Sequence, residues 1–193
     1  MTAPFRPDLG GGRLLQFGCG PHPLPAPWES YDAEVDISEP LPFPSGCASF
    51  IHAEDVIEHI PFKAGVAFLH ECFRVLEPGG VVRICFPDCE RFLEALAFDS
   101  ERPDEYLAFL KKLGRPHADA RDVLRFILCD SGHQSAWTAM VGLGALHAAG
   151  FAGIDLAEYG ESSHAELVDV DRHHLTAPRS VVLAETTILE GTK

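Results

Sequence analysis

Leu14-Leu15-Gln16-Phe17-Gly18-Cys19-Gly20 is a short apolar run that stops at two glycines flanking a cysteine. Such a run ending in Gly-x-Gly predicts a strand leaving into a tight turn, because glycine accepts backbone conformations that bring the chain close to a ligand. In an open parallel sheet, ligands bind beyond the carboxyl ends of the strands, which is where this turn would stand. Gly-x-Gly alone is common at strand exits, so it gains weight only from the residues beyond Gly20.

Four prolines occupy the seven residues Pro21 to Pro27, which forbids a helix and requires an extended crossing. Only eleven residues separate Gly20 from Asp32, too few for a full crossover helix, so the first βα unit is trimmed. Trp28 to Asp32 and Ala33 to Ile37 read as short extended segments, each ending near an aspartate. A carboxylate at the end of a second strand, Asp32, can accept both hydroxyls of a ribose. Asp36 precedes the Pro-rich loop Pro40 to Pro44, which is placed to cover a purine ring.

Further along, Ala48 to Ala53 reads as a buried strand, and apolar residues recur at helical spacing from about Lys63 to Leu76, where Pro78-Gly79-Gly80 is expected to end the helix. Val81 to Phe86 is β-rich and is followed by a helix from Cys89 to about Phe98. This alternation predicts an α/β chain with a parallel sheet covered on both faces. From about Asp99 to Asp130 the sequence turns polar and helical, over Pro103 to Leu113 and Asp119 to Cys129, as in a helical cap insertion. A helix over Thr138 to Ala149, a strand over Gly153 to Glu158 and a long strand over Ser180 to Ile188 complete the expected order.

The composition sets the outer bounds. A chain of 193 residues with 46% hydrophobic and 23% charged side chains fits one globular domain with a real core. No run of about 18 apolar residues offers a membrane span, and Met1 to Gly12 lacks a signal-peptide pattern, so the expected location is cytoplasmic. The formal charge of -14, with basic residues scattered apart from Lys111, Lys112 and Arg115, disfavours a nucleic acid partner. Six cysteines form no CxxC pair and read as reduced core residues.

Four ordered motifs make the sequence resemble the class I S-adenosylmethionine-dependent methyltransferases, in particular a small bacterial group related to the type 11 family. They are Leu14 to Gly20, Val35-Asp36-Ile37 with Leu41 to Pro44, Ala53 to Ile60, and Phe73 to Gly80. The resemblance implies a Rossmann-like, seven-stranded, mostly parallel sheet with a reversed last strand, and S-adenosyl-L-methionine as the cofactor. It assigns Phe17, Gly18, Cys19 and Gly20 to the turn under the methionine portion and Asp32 to the ribose. Asp36, Ile37, Leu41 and Phe43 fall beside the adenine, and Ala53 and Glu54 line the methionyl group. In the third motif Asp55 stands where relatives more often carry His, a departure from the family pattern.

Methyl transfer from a sulfonium is an in-line displacement with an activated leaving group, so alignment and water exclusion come first and a base is optional. Candidate bases are His59, Asp88, His133 and His164, and His133, directly after the cap, is favoured for the catalytic role. His164, His173 and His174 with Asp169 and Asp171 are irregularly spaced, so no metal site is expected. The expected activity is transfer to a small-molecule or glycan-type acceptor. The alternative is a cofactor-binding or degenerate module of the same fold with a regulatory or scaffold role, motivated by the trimmed first unit and by the absence of a compelling catalytic residue. A nicotinamide-dependent oxidoreductase is disfavoured because no GxGxxG is present.

Overall fold

A computed structural model describes residues 12–98, 102–115, 119–130 and 132–193. Residues 1–11, and residues 99–101 and 116–118 of the expected cap, fall outside this set. The chain runs β1 (Arg13–Phe17), β2 (Glu29–Tyr31), β3 (Ala48–Glu54), α1 (Phe62–Val75), β4 (Leu76–Pro87), α2 (Cys89–Phe98), α3 (Arg102–Lys112) and α4 (Ala120–Arg125). It continues through α5 (Ala139–Ala149), β5 (Ala152–Leu156), α6 (Arg179–Glu185) and β6 (Thr186–Thr192).

The strands form one sheet in the order β2-β1-β3-β4-β6-β5. β1 to β4 pair in parallel, and β6 lies antiparallel to both β4 and β5. This is the mixed, doubly covered α/β sheet with a reversed last strand that the sequence implies. Among the described residues it has six strands rather than seven. The seventh is missing at the β2 edge, where Ala33 to Ile37 makes turns instead: Val35 N bonds Asp32 O, and Glu39 N bonds Asp36 O. The Asp36 carboxylate accepts from both the Ser38 amide and hydroxyl, so a local side-chain turn competes with strand pairing. Val35 and Ile37 still bury their side chains in the main core.

The trimmed first unit is stitched down by Gln16, a buried polar residue of β1. Its Oε1 accepts from Leu24 N at 2.8 Å and Ser30 Oγ at 2.6 Å, so the proline-rich crossing is fixed by hydrogen bonds where a helix would ordinarily pack.

Two further expectations are corrected. The helix ends at Val75, and the chain enters β4 at Leu76, before Pro78-Gly79-Gly80. Ser180 to Glu185 is helical, and only Thr186 onward is strand. The ladder explains the second change: Thr186 pairs with Pro87, the last residue of β4, so nothing earlier has a strand to join. As a helix, this segment places Val181 against Phe92, Tyr106 and Leu110, and Val182 against Cys85 and Ile188. Thr138 caps α5 through its side chain to Val141 N, and Gly150 ends the helix at φ 109°, as the pattern predicts. No helix among the described residues is long and apolar enough to cross a membrane.

Candidate functional site

The turn after β1 is built by two glycines with left-handed φ, Gly18 at 70° and Gly20 at 47°. A Cβ on Gly18 would stand 2.7 Å from Val56, so the position excludes a side chain by contact as well as by conformation. Gly18 and Cys19 with Gly20, from β1, and Glu54 with Asp55, from the end of β3, line a cavity of about 200 Å³. Its far wall is Arg172, His173 and Thr176, from the segment before α6.

The sequence-derived positions divide into two groups. Gly18, Cys19, Gly20 and Glu54 line the cavity. Asp32 stands beside it at the end of β2, its Oδ1 accepting from Gly20 N at 3.4 Å. Phe17, Ile37, Leu41, Phe43 and Ala53 are buried in the main core. Phe17 packs its ring on Tyr31, Phe43 and Phe68, so it supports the turn through packing and can offer a ligand only its backbone. Asp36 is exposed, its Oδ1 engaged by Ser38.

The Glu54 carboxylate is already heavily engaged. It accepts from Arg172 N at 2.5 Å, His173 N at 3.1 Å and Tyr159 OH at 3.3 Å. Burial pushes its pKa upward, against the pull of nearby His52. The neighbouring Asp55, with a left-handed φ of 48°, forms an ion pair with His173, Oδ2 to Nδ1 at 2.6 Å. A non-glycine residue in that conformation costs about 1 to 3 kcal/mol and persists only where its surroundings demand it. Burial disfavours the charged His173 ring, yet the Asp55 carboxylate prevails and raises its pKa to about 9. The C-terminal segment is therefore strapped across the mouth of the cleft by the Asp55 ion pair and by the Arg172 and His173 amides on Glu54. Asp55 stood out in the sequence only as a departure from the family pattern and His173 only among irregularly spaced histidines; their pairing, like the partners of Glu54, joins segments so far apart along the chain that no local signal announces it.

A buried network holds the strap from beneath. Arg83 on β4 donates Nε to Asp171 Oδ1 at 2.9 Å and Nη1 to Glu190 Oε1 at 2.5 Å, while His52 Nε2 lies 3.2 Å from Asp171 Oδ1. Burial would raise the Asp171 pKa, but hydrogen bonds from His52 and Arg83 hold it below the ordinary carboxylate range.

The favoured base, His133, packs beside β3's exit rather than in the cavity wall. Its ring meets His59 edge-on at 4.8 Å between centroids, and its Nε2 is 3.9 Å from Glu58 Oε1. Asp88 is buried and structural: it accepts from Glu90 N, Ala139 N and Thr187 Oγ1, tying α2, α5 and β6 together. His164 lies edge-on to Phe50, and it is not among the residues lining the cavity. His164, His173, His174, Asp169 and Asp171 do not gather into one donor cluster among the described residues.

Comparison with known proteins bears on this geometry. Residues 23–84 match the family model described as a methyltransferase domain. No curated protein matches the chain. Among solved structures, a S-adenosylmethionine-dependent methyltransferase from Thermotoga maritima, described as a possible histamine N-methyltransferase, aligns at TM-score 0.54 and 14% identity, over 96% of this chain and 84% of that one. A S-adenosylmethionine-dependent methyltransferase from Mesorhizobium loti aligns at 0.53 and 14%, over 97% and 94%. A phosphoethanolamine N-methyltransferase from Haemonchus contortus, solved with S-adenosylhomocysteine, aligns at 0.54 and 12%, over 97% of this chain and 50% of that one.

Proposed function

We infer that this chain, a class I S-adenosylmethionine-dependent methyltransferase by its fold and by the family match over residues 23–84, transfers a methyl group from that cofactor to a small-molecule acceptor. The observation that carries the reading is the glycine turn itself. Gly18 and Gly20 hold left-handed backbone at the carboxyl end of β1, directly against a cavity whose walls carry the Glu54 and Asp55 carboxylates opposite Arg172 and His173. A sulfonium bearing an ammonium group is cationic at one end, and such a charge is favourable beside these carboxylates. Asp32, next to Gly20, is the ribose partner in this reading, while Ile37, Leu41 and Phe43 support the adenine side from within the core and Asp36 stands at its exposed edge.

S-Adenosyl-L-methionine is the cofactor, and this chain's residues would bind it, orient it and exclude water; the methyl group is the cofactor's own contribution. His133 is the base proposed for an acceptor that must lose a proton. The helices α3 and α4 would shape the acceptor pocket, since α3 packs on both α4 and α6, and α6 follows the strap. The strap across Glu54 favours a second reading, a cofactor-binding module that does not turn over, because the carboxylate is spent on the chain itself.

Calorimetric titration with S-adenosylhomocysteine, with NADH as control, separates these readings. Micromolar binding of the first alone, about -8 kcal/mol, supports the cofactor assignment and justifies an acceptor screen. Binding of neither compound removes it. Binding without methyl transfer to any acceptor in a broad screen favours the second reading.

A further inference from the structure

Ile57 to His59 form a short 3-10 turn directly after the end of β3, and Gly132 to Ser135 return across it. Gln134 N and Ser135 N donate to Glu58 O at 2.8 and 3.1 Å, and Gln134 Nε2 donates to His59 O at 2.6 Å. These bonds fix His133 beside the turn, so Glu58, His59 and His133 converge from two distant parts of the sequence. Glu58 Oε1 lies 3.8 Å from His59 Nε2 and 3.9 Å from His133 Nε2, and all the donor atoms lie within 4.8 Å of one another.

Two features set this cluster apart from an ordinary polar patch. Glu58 is 2% exposed, and its Oε2 has no hydrogen-bond partner among the described residues. A buried carboxylate oxygen without a donor costs several kcal/mol unless something satisfies it. The contacts from Oε1 to the two imidazoles are also too long to be hydrogen bonds, so the histidines surround the carboxylate without satisfying it. Asp55, just before the turn, adds negative potential, and its Oδ1 likewise has no hydrogen-bond partner among the described residues. The His59 side chain is 39% exposed, which leaves a path from solvent.

We propose that Glu58, His59 and His133 form a binding site for a divalent first-row transition-metal ion. Two imidazole nitrogens and one carboxylate oxygen suit zinc, iron, cobalt or manganese rather than magnesium or calcium, which prefer oxygen donors throughout. A cation with bond lengths of about 2.0 to 2.2 Å would draw these donors to within about 3.5 Å of one another, a movement of up to about 1 Å that side-chain rotation supplies. Three protein donors leave coordination positions open, as in catalytic rather than structural sites. Resting on the methyl-transfer reading, those positions would take an acceptor oxygen beside the exit of β3 and favour its deprotonated form, and in the metal-bound protein the ion, rather than His133 as a free base, would do so.

The test uses the full chain stripped with a chelator. Zinc is titrated by calorimetry and cobalt by its visible absorption, both without S-adenosylhomocysteine. The expected result is one ion per chain at micromolar affinity or tighter, with a cobalt spectrum lacking thiolate bands. Binding should weaken at least tenfold in His59→Ala, His133→Ala and Glu58→Gln and stay unchanged in His147→Ala, an exposed histidine on α5. Absence of saturable binding, or wild-type affinity in folded His59→Ala and His133→Ala, overturns the site. His59→Ala removes a partly exposed side chain, so it reads out even if Glu58→Gln fails to fold. Titration of S-adenosylhomocysteine in chelator is scored separately: metal binding without cofactor binding sinks the methyl-transfer reading and leaves the metal site standing.

Discussion

His173 Nδ1 lies 2.6 Å from Asp55 Oδ2, and this ion pair closes the C-terminal segment over the glycine turn of β1. A ligand large enough to reach Glu54 must contend with this strap, so stability and ligand entry are linked through one contact.

The pair's pH dependence has a definite sign. The His173 pKa is raised from 6.5 to about 9, so its contribution to stability is complete below about pH 6.5 and is lost as pH rises through about 9. Urea midpoints taken from pH 6 to 9.5 should fall by the equivalent of about 1 to 3 kcal/mol in the wild type and much less in Asp55→Asn. Equal slopes in both proteins would mean that the ion pair does not set the pH dependence.

Gly18→Ala should destabilise the fold by about 1 to 3 kcal/mol and abolish high-affinity S-adenosylhomocysteine binding, because its φ of 70° and the approach of Val56 both oppose a Cβ. Adding Val56→Ala should recover only part of the stability, since it relieves the clash and not the backbone strain. Chemical denaturation of the single and double variants separates the two contributions.

Asp32→Ala should weaken S-adenosylhomocysteine at least tenfold, while Asp36→Ala should change it little. Asp32 touches the glycine turn through Gly20 N, whereas Asp36 is engaged by Ser38. The reverse outcome in calorimetry would move the proposed ribose site to Asp36.

Arg83 and Asp171 form a fully buried pair under the strap, and without Asp171 the Arg83 charge keeps only Glu190 as a carboxylate partner. Asp171→Asn should therefore cost about 3 to 5 kcal/mol. The Asp171 pKa is depressed, so the stability it confers is present above the ordinary carboxylate value near 3.8 and is lost as pH falls below it. Acid titration followed by circular dichroism should show wild-type unfolding in that range, and Arg83→Met should shift its acid limb.

Local patterns carried much of the architecture. The glycine turn, the prolines that forbid a first helix, the α1 periodicity and the Thr138 and Gly150 ends of α5 are all decided within a few residues, and the fold obeys them. Where β-branched residues favoured a strand over Ser180 to Glu185, the length of β4 decided otherwise, because a strand needs a neighbour and Thr186 meets the last residue available. The expected seventh strand failed for a similar reason: Asp36 satisfies its neighbours' donors locally, and the sheet ends at β2.

The candidate site divides along the same line. Gly18, Cys19, Gly20, Asp32 and Glu54 could be picked from short motifs, since the end of a strand and a turn are local events. Asp55 with His173, Glu58 with His133, and Arg83 with Asp171 could not. Each pair joins segments far apart in the chain, and charge and burial select partners by distance in space. The sequence by itself determined where the chain turns and which strand ends present glycine and acid; only tertiary packing decided which buried charges face one another there, because a buried carboxylate takes its energy from whatever the fold brings within a few ångströms.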